Sequence, residues 1–142
     1  MTFAAMRIIG IDFGEKRIGV AAGEDRMRLA VPVDTVESKG DPVSEIEAIA
    51  MEQYAEAIVV GLPLSLSGAE GPQAQRVREV VEALTERLTI PVMTYDERLT
   101  TTEATRRPIE VMRKSKSGAA SRDAIAASIM LQAYMDSRRP NE

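Results

Sequence analysis

Hydrophobic and polar residues follow one another along this chain in blocks that predict five strands and four helices. Short apolar runs between turn residues are typical of buried strands, whereas apolar residues three and four positions apart indicate the buried face of a helix. The first pattern predicts strands over residues 7–12, 18–22, 30–36, 57–62 and 90–95. The second predicts helices over residues 42–54 and 72–88, a helix opening at residue 100, and a last helix over residues 119–137.

Local signals mark the ends of several elements. Asp41 before Pro42 supplies an N-cap and a proline at the first helical position. Thr100 and Glu103 have the spacing of a capping box, which gives Glu103 a structural task at a helix start. Pro32 has no backbone N–H to donate and predicts that the third strand lies at a sheet edge. Strands alternating with amphipathic helices indicate an α/β fold of three layers around a mixed sheet.

The composition narrows the possible chemistry. With 142 residues, we expect a single domain over residues 1–142, with short disordered tails at residues 1–5 and 138–142. The chain contains neither Cys nor His. This excludes disulfides, thiolate zinc sites, Ser-His-Asp triads and His acid–base catalysis. Any catalysis must rest on carboxylates, Lys, Arg, Ser, Thr, Tyr or a bound metal ion.

No segment predicts a membrane or secreted location. Apolar stretches stay well below the roughly 20 residues of a membrane-spanning helix. The N-terminal residues lack the charged flank and long apolar core of a signal peptide. We therefore expect a cytoplasmic protein.

Charge is unevenly distributed along the chain, although the net charge is −4. Residues 98–122 carry seven Lys and Arg against only Glu103 and Glu110, a local excess of +5. Such a segment indicates either a nucleic-acid contact or a solvated surface that is balanced by acids elsewhere.

Acidic residues occur where an α/β fold places its ligands, at strand ends and a helix start. Asp12 ends the first strand, and Asp123 opens the regular part of the last helix. Asp96 and Glu97 follow the fifth strand, where side-chain alternation predicts that only one of them enters a site. Each acid also has a structural explanation, as a turn cap, an ion-pair partner of Arg98 or an acid favoured by the helix dipole.

Small residues at the start of the last helix would allow these acids to converge. Close approach of that helix to the sheet brings Asp123 near the strand ends. Unpaired carboxylates in a cluster repel one another and are stabilised by hard cations, of which Mg²⁺ and Mn²⁺ suit oxygen ligands. Two such ions about 4 Å apart can activate water and stabilise the leaving oxygen of a phosphodiester. The small residues are Ala124, Ala126, Ala127 and Ser128, with Met130, Leu131 and Tyr134 filling the space beyond them.

These residues belong to motifs that resemble the YqgF/RuvX family of Holliday junction resolvase-like proteins, in the RNase H-like superfamily. The resemblance covers nearly the whole chain, from residue 7 to about residue 135. Its most specific parts are Asp96-Glu97-Arg98-Leu99-Thr100-Thr101 and the late Asp123-x-x-Ala126-Ala127. The other two motifs are Gly10-Ile11-Asp12-Phe13-Gly14-x-x-Arg17-Ile18-Gly19-Val20-Ala21, and Gly61-Leu62-Pro63-Leu64 with Gly68.

The resemblance implies an RNase H-like three-layer fold, with a central mixed five-stranded sheet flanked by helices. It further implies that Asp12, Glu97 and Asp123 are the catalytic, metal-binding acids, with Mg²⁺ or Mn²⁺ as cofactor. Asp12 would bridge two ions, Glu97 and Asp123 would each hold one, and water would attack in line. Nucleases of this superfamily often carry their second acid on the strand that corresponds to residues 57–62. That strand has no carboxylate here, so the role passes to Glu97 or, as the alternative, to Asp96.

The implied activity is hydrolysis of RNA phosphodiester bonds in 5′-end maturation of pre-16S rRNA. Cleavage of Holliday junctions or other structured DNA is one alternative, and a catalytically idle RNA-binding module in ribosome assembly is another. An ATP-handling domain of the actin or sugar-kinase type shares the turn after Asp12, but such enzymes use a second lobe that is not expected here. The protein would act as a monomer or homodimer, without a membrane.

Basic residues near the motifs are candidates for phosphate contacts, which hold a nucleic acid without reading its sequence. Gly61, Gly68 and Gly71 either let a phosphate backbone approach or simply form a turn. Residues 106–118 form either a flap over the substrate or a surface loop. Only five aromatic residues occur, and none lies within the basic segment, so extensive base stacking is not expected. The candidate nucleic-acid-binding residues are Arg17, Arg98, Lys114, Lys116 and Arg122.

Overall fold

A computed structural model describes residues 6–100 and 121–138 of the chain. In these two stretches no helix is long and apolar enough to cross a membrane. A short turn of 3₁₀ helix, Glu97–Leu99, follows the last strand. The other elements, in chain order, are β1 (Arg7–Phe13), β2 (Arg17–Glu24), β3 (Leu29–Glu37), α1 (Pro42–Glu52), β4 (Ala57–Leu62), α2 (Pro72–Arg87), β5 (Val92–Asp96) and α3 (Arg122–Ser137).

The strands form one mixed sheet in the order β3-β2-β1-β4-β5, which confirms the expected architecture. β1 lies at the centre, antiparallel to β2 and parallel to β4. β5 continues the parallel half, and β3 continues the antiparallel half. The edge position that Pro32 predicts for its strand is therefore confirmed.

Side chains of the sheet alternate between two hydrophobic cores, one on each face. Ile9 and Ile11 of β1 pack with the buried residues of α1 and α2. Ile8 packs on the opposite face against α3, whose Leu131 is fully buried. The sheet is thus the middle of three layers, and residues of β1 with even numbers face α3.

Local residues explain where three of the elements begin. Asp41 caps α1 as expected, because its Oδ1 accepts a hydrogen bond from the Ser44 backbone N at 3.2 Å. β5 begins two residues later than predicted, after Pro91, which cannot donate to a ladder. α3 begins at Arg122 rather than near residue 119, because the Ser121 hydroxyl caps it by accepting from the Ala124 backbone N at 3.1 Å.

Several sequence predictions fall outside the described residues. These are the helix opening at residue 100 with Glu103, the segment 106–118, and residues 1–5 and 139–142 of the two tails. Arg138, which the sequence analysis assigned to the C-terminal tail, is the C-cap residue of α3. Its guanidinium carbon lies 5.4 Å from the centre of the Tyr134 ring.

A side chain from α3 covers one end of the outer edge of β3. The Gln132 Oε1 accepts a hydrogen bond from the Ala30 backbone N at 3.0 Å. The Gln132 Nε2 donates to the Arg28 carbonyl oxygen at 2.6 Å. Both hydrogen bonds attach α3 to the antiparallel half of the sheet.

Candidate metal centre

Asp12 lies on the central strand, on the sheet face that packs against α3. It is one residue short of the end of β1 and is half-buried. Its partner on β2 is Gly19. On the other side, Ile11 pairs with Val60 of β4, so the next residue of β4, Gly61, lies beside Asp12. Asp12 therefore lies between two strand positions that have no side chain.

The glycine on β4 makes room for Glu97. A Cβ at Gly61 would lie 2.8 Å from Glu97 Oε2 and 3.0 Å from its Cγ. Glu97 opens the 3₁₀ turn after β5, which Asp96 caps by accepting a hydrogen bond from the Arg98 backbone N at 2.9 Å. The turn thus directs the Glu97 carboxylate back over β4 toward Asp12.

The glycine on β2 makes room for Asp123. A Cβ at Gly19 would collide with the backbone carbonyl oxygen of Asp123. At the turn after β1, a Cβ at Gly14 would lie 2.9 Å from Asp123 Oδ1. The first turn of α3 therefore rests directly on the sheet, beside Asp12.

Small residues on the helix face contribute to this close approach, as expected. Ala124, Ala127 and Ser128 are buried, whereas Ala126 is only half-buried. Further along α3, a Cβ at Gly10 would lie 2.8 Å from the Cβ of Leu131. The close approach thus depends on glycines of the sheet as much as on alanines of the helix.

Burial and neighbouring carboxylates raise the pKa of two acids in the cluster. Burial and then the charge of Asp12 raise the pKa of Glu97 from its ordinary value of 4.5 to about 8. Burial also raises the pKa of Asp12; a hydrogen bond with Glu97 opposes that shift, and the charge of Asp123 reinforces it. Glu97 Oε2 is buried and has no hydrogen-bond partner among the described residues. At neutral pH Glu97 therefore keeps a proton unless a cation replaces it.

The three acids do not surround a single point. Over residues 6–100 and 121–138, no three acidic side chains come close enough together to hold one ion. Asp12 instead lies between Glu97 and Asp123, and its pKa responds to both. Asp123 Oδ2 lies 3.9 Å from Arg17 Nη1. This spread is expected of carboxylates that repel one another.

The structure separates the two adjacent acids that the sequence left as alternatives. Asp96 Oδ2 lies 2.6 Å from Arg98 Nη2, and this ion pair lowers the pKa of Asp96. Of these two acids, only Glu97 lies close to Asp12. The sequence offered an ion pair with Arg98 as a structural explanation for either acid. Arg98 forms that ion pair with Asp96, and among the described residues it forms none with Glu97.

The candidate phosphate contacts have different surroundings. Arg17 is exposed and reaches Asp123 and also Glu37, whose Oε2 lies 3.8 Å from Arg17 Nε. Arg98 is engaged with Asp96. Arg122 is exposed at the first position of α3. Lys114 and Lys116 lie outside the described residues.

The loop glycines also differ in role. Gly61 faces Glu97, so the space above it is filled by a carboxylate. Gly68 has a φ of +88° and is needed for a turn. Gly71 precedes α2, and among the described residues no atom lies within 4 Å of where its Cβ would stand.

Two features of the site were missed by the sequence reasoning. The role of Gly19 was not recognised, although glycine within a strand commonly marks the close approach of another backbone. Gln73 of α2 donates a hydrogen bond from Nε2 to the Phe13 carbonyl oxygen at 3.1 Å, which holds the end of β1 beside α2. No pattern in the sequence indicates that contact.

Comparison with known proteins finds relatives along nearly the whole chain. A family model described as "RuvX: Holliday junction resolvase" matches residues 6–137. A protein of Caldanaerobacter subterraneus subsp. tengcongensis, named "Putative pre-16S rRNA nuclease", is 41% identical over 138 residues, which cover 94% of this chain and 99% of that protein. A Roseiflexus protein of the same name is 38% identical over 135 residues, covering 94% and 96%.

Solved structures resemble the fold at lower identity. RuvC of T. thermophilus in complex with a Holliday junction substrate superposes with a TM-score of 0.59 at 19% identity, covering 94% of this chain and 95% of that one. Fowlpox virus resolvase bound to Holliday junction DNA gives 0.59 at 12% identity, covering 93% and 98%. At these identities the likeness shows a shared fold.

Proposed function

The chain belongs to the RuvX family, and from this premise we propose that it is a divalent-metal-dependent nuclease that hydrolyses phosphodiester bonds in RNA. Family membership rests on the match over residues 6–137 and on relatives of about 40% identity that align along nearly their whole length. The proposed catalytic acids are Asp12, Glu97 and Asp123.

The observation that carries the proposal is the position of Asp12 between two glycines that admit the other two acids. Gly61 leaves space for the Glu97 carboxylate, and Gly19 lets the backbone of Asp123 rest on the sheet. A half-buried carboxylate flanked by two others is unfavourable without a cation. Such a cluster at strand ends supports a cation site rather than a purely structural role.

The residues present fit Mg²⁺ or Mn²⁺. The donors are carboxylate oxygens, which these ions prefer, and Glu97 Oε2 is buried without a partner among the described residues. Divalent ions held by Asp12, Glu97 and Asp123 would activate water and stabilise the leaving oxygen of a phosphodiester. Glu97 would release its proton as it becomes a ligand. Arg17, exposed beside Asp123, is placed to attract a phosphate.

The proposed substrate is the precursor of 16S rRNA, and the proposed event is maturation of its 5′ end. Two relatives of about 40% identity carry that substrate in their names. Ribosomal RNA processing would place the protein in the cytoplasm. Within the basic segment, Lys114, Lys116 and Arg122 would supply further phosphate contacts.

A second candidate is cleavage of four-way DNA junctions. The matching family model is described as a Holliday junction resolvase. The fold also superposes on that of RuvC. Both nucleic acids present the same phosphodiester to the acids, so the choice depends on the surface around the site.

The test compares three labelled substrates under one set of conditions: a pre-16S rRNA fragment that includes the mature 5′ end, a single-stranded RNA and a DNA junction. Each is incubated with Mg²⁺ or Mn²⁺ and with wild type or Asp12→Asn. We expect metal-dependent cleavage of the rRNA precursor that the variant loses. Cleavage of the junction alone would favour the second candidate. RNA binding without cleavage in either metal would identify a binding module and overturn the proposal.

A further inference from the structure

The guanidinium of Arg98 is engaged by groups of the protein itself. Its Nε lies 3.0 Å from both carboxylate oxygens of Asp96, and its Nη2 donates to Asp96 Oδ2 at 2.6 Å. Its Nη1 donates to the carbonyl oxygen of Leu66 at 3.2 Å. A phosphate that approached Arg98 would have to compete with these hydrogen bonds.

The contact with Asp96 determines which acid faces the cluster. Asp96 and Glu97 are adjacent, and either could offer a carboxylate to a cation. Arg98 occupies both oxygens of Asp96 and lowers its pKa. The same carboxylate accepts from the Arg98 backbone N and so closes the turn that directs Glu97 over Gly61.

The contact with Leu66 joins this turn to the loop between β4 and α2, residues 63–71, here called the rim loop. The rim loop is itself ordered by hydrogen bonds. Leu64 and Glu70 form a β-bridge, and the Gly68 backbone N donates to the Ser65 carbonyl oxygen at 2.8 Å. The Leu66 side chain at its tip is 96% exposed, while its carbonyl oxygen binds Arg98. Arg98 thus connects the rim loop to the turn that carries Glu97.

We propose that Arg98 is a positioning residue, which holds Glu97 in the metal centre by clamping Asp96 and the rim loop, and is not a phosphate contact. This inference rests on the proposed function, because Glu97 is taken there as a ligand of the catalytic cation. It replaces the role that the sequence alone suggested for Arg98. The planar guanidinium suits the task because its donors form a rigid fork, which a lysine ammonium lacks.

A charge-conserving variant of Arg98 and a neutral variant of Asp96 separate the two roles. Arg98→Lys keeps a cation that can still attract a phosphate, but it cannot bridge Asp96 and the Leu66 carbonyl with the same geometry. Asp96→Asn removes the negative charge that Arg98 binds and so weakens the same contact. The double variant Arg98→Lys with Asp96→Asn shows whether both act through one contact, because the effects of residues in contact are not additive.

Three measurements on the full chain decide the outcome. A clamp predicts that Arg98→Lys and Asp96→Asn each weaken Mn²⁺ binding by about 10- to 100-fold in calorimetry and lower kcat on labelled RNA. The double variant should be no worse than the more affected single variant. For Arg98→Lys, RNA affinity measured in chelator, and its dependence on salt, should not change.

The matched control is Arg78→Lys. Arg78 makes a similar forked ion pair with Glu70 at the base of the rim loop, with distances of 2.6 to 2.8 Å. It has no hydrogen bond to the turn of Glu97 in the described residues. The control should bind Mn²⁺ as wild type does, whereas a general effect of loosening the rim loop would appear in both arginine variants.

The outcomes distinguish this inference from the proposed function. If wild type cleaves RNA and Arg98→Lys keeps full Mn²⁺ affinity and kcat, the clamp is refuted and the nuclease stands. If Arg98→Lys and the control lose Mn²⁺ affinity equally, the clamp is refuted as well. If wild type binds Mn²⁺ but cleaves nothing, the proposed function fails, while Mn²⁺ affinity still decides the clamp. If wild type neither binds Mn²⁺ nor cleaves RNA, both the clamp and the proposed function are refuted.

Discussion

The carboxylate of Glu97 lies directly over Gly61. Three atoms of the Glu97 side chain, Oε2, Cγ and Cδ, would lie 2.8 to 3.1 Å from a Cβ at that position, closer than van der Waals contact permits. Val60, just before Gly61, pairs with Ile11, just before Asp12, so Gly61 lies beside Asp12. Because Gly61 has no side chain, the carboxylate of Glu97 can come close to Asp12. A glycine in the middle of a buried sheet thus has a direct consequence for the metal centre.

Gly61→Ala should displace Glu97 from the cluster while leaving the fold intact. The added methyl group would occupy the space of Oε2, and the flexible end of Glu97 can move away. We expect Mn²⁺ affinity to fall by about 10- to 100-fold, with cleavage reduced in parallel, as measured by calorimetry and an RNA cleavage assay. Gly71→Ala is the control, because a Cβ there meets no atom of the described residues within 4 Å. Equal behaviour of the two variants would refute the explanation.

Asp12→Asn should abolish cleavage by removing the central ligand. We expect a loss of kcat on the order of 10³-fold or more. The melting temperature of the metal-free protein should be unchanged or raised, because the cost of burying the Asp12 charge and its repulsion with Asp123 are relieved. Asp34→Asn, on the exposed edge strand, is the matched control and should cleave normally. An Asp12→Asn variant that retains wild-type cleavage would remove Asp12 from the mechanism.

The stability of the metal-free protein should fall as pH rises from about 4.5 toward 8. The folded protein holds a proton on Glu97, with a pKa of about 8, which the unfolded chain releases near its ordinary value of 4.5. The stabilisation is therefore complete below the lower value and is lost as pH passes the upper one. Thermal melts in chelator should show this decline in wild type.

The variant Glu97→Gln isolates that contribution. It has no proton to lose, so its melting temperature should decline less over the same pH range than that of wild type. Excess Mn²⁺ should reverse the trend for wild type, because metal binding releases the Glu97 proton and becomes stronger at higher pH. Parallel melting curves for wild type and Glu97→Gln in chelator would contradict the assignment.

Lys114 and Lys116 should act through phosphate contacts alone. Their joint replacement by Ala is expected to weaken RNA binding and to reduce the slope of log affinity against log salt by roughly 2. Cleavage at saturating RNA should be unaffected. Arg26 lies in the exposed turn between β2 and β3, at the end of β2 that is away from Asp12. Arg26→Ala is therefore the control and should leave the slope unchanged. An unchanged slope for the lysine variant would exclude these contacts.

The sequence predicts much of the fold because its signals are local. Apolar runs give the five strands, the absent N–H of Pro32 gives the sheet edge, and Asp41 gives the start of α1. Such signals depend on residues close together in the chain. The capping hydroxyl of Ser121 is of the same kind but was overlooked, so the last helix was predicted to begin too early.

The candidate site was only partly predictable because it depends on contacts between distant segments. Alternation along β5 predicts that only one of Asp96 and Glu97 enters a site. In the structure Asp96 pairs with Arg98, and Glu97, in the turn after β5, lies close to Asp12. The approach of Asp123 depends on Gly19, about a hundred residues away in the chain. A backbone contact of this type has no periodicity that a single sequence could reveal.

The side chain of Gln132 affects how copies of this protein can associate. Its amide binds the N–H of Ala30 in β3 and the C=O of Arg28 just before β3, as a neighbouring strand would. Further along the same edge, Pro32 has no N–H to offer. A second molecule that tried to extend the sheet at β3 would have to displace the glutamine and would gain few hydrogen bonds. This end of the β3 edge is thereby protected against strand-to-strand aggregation, so we expect a homodimer to form through another surface.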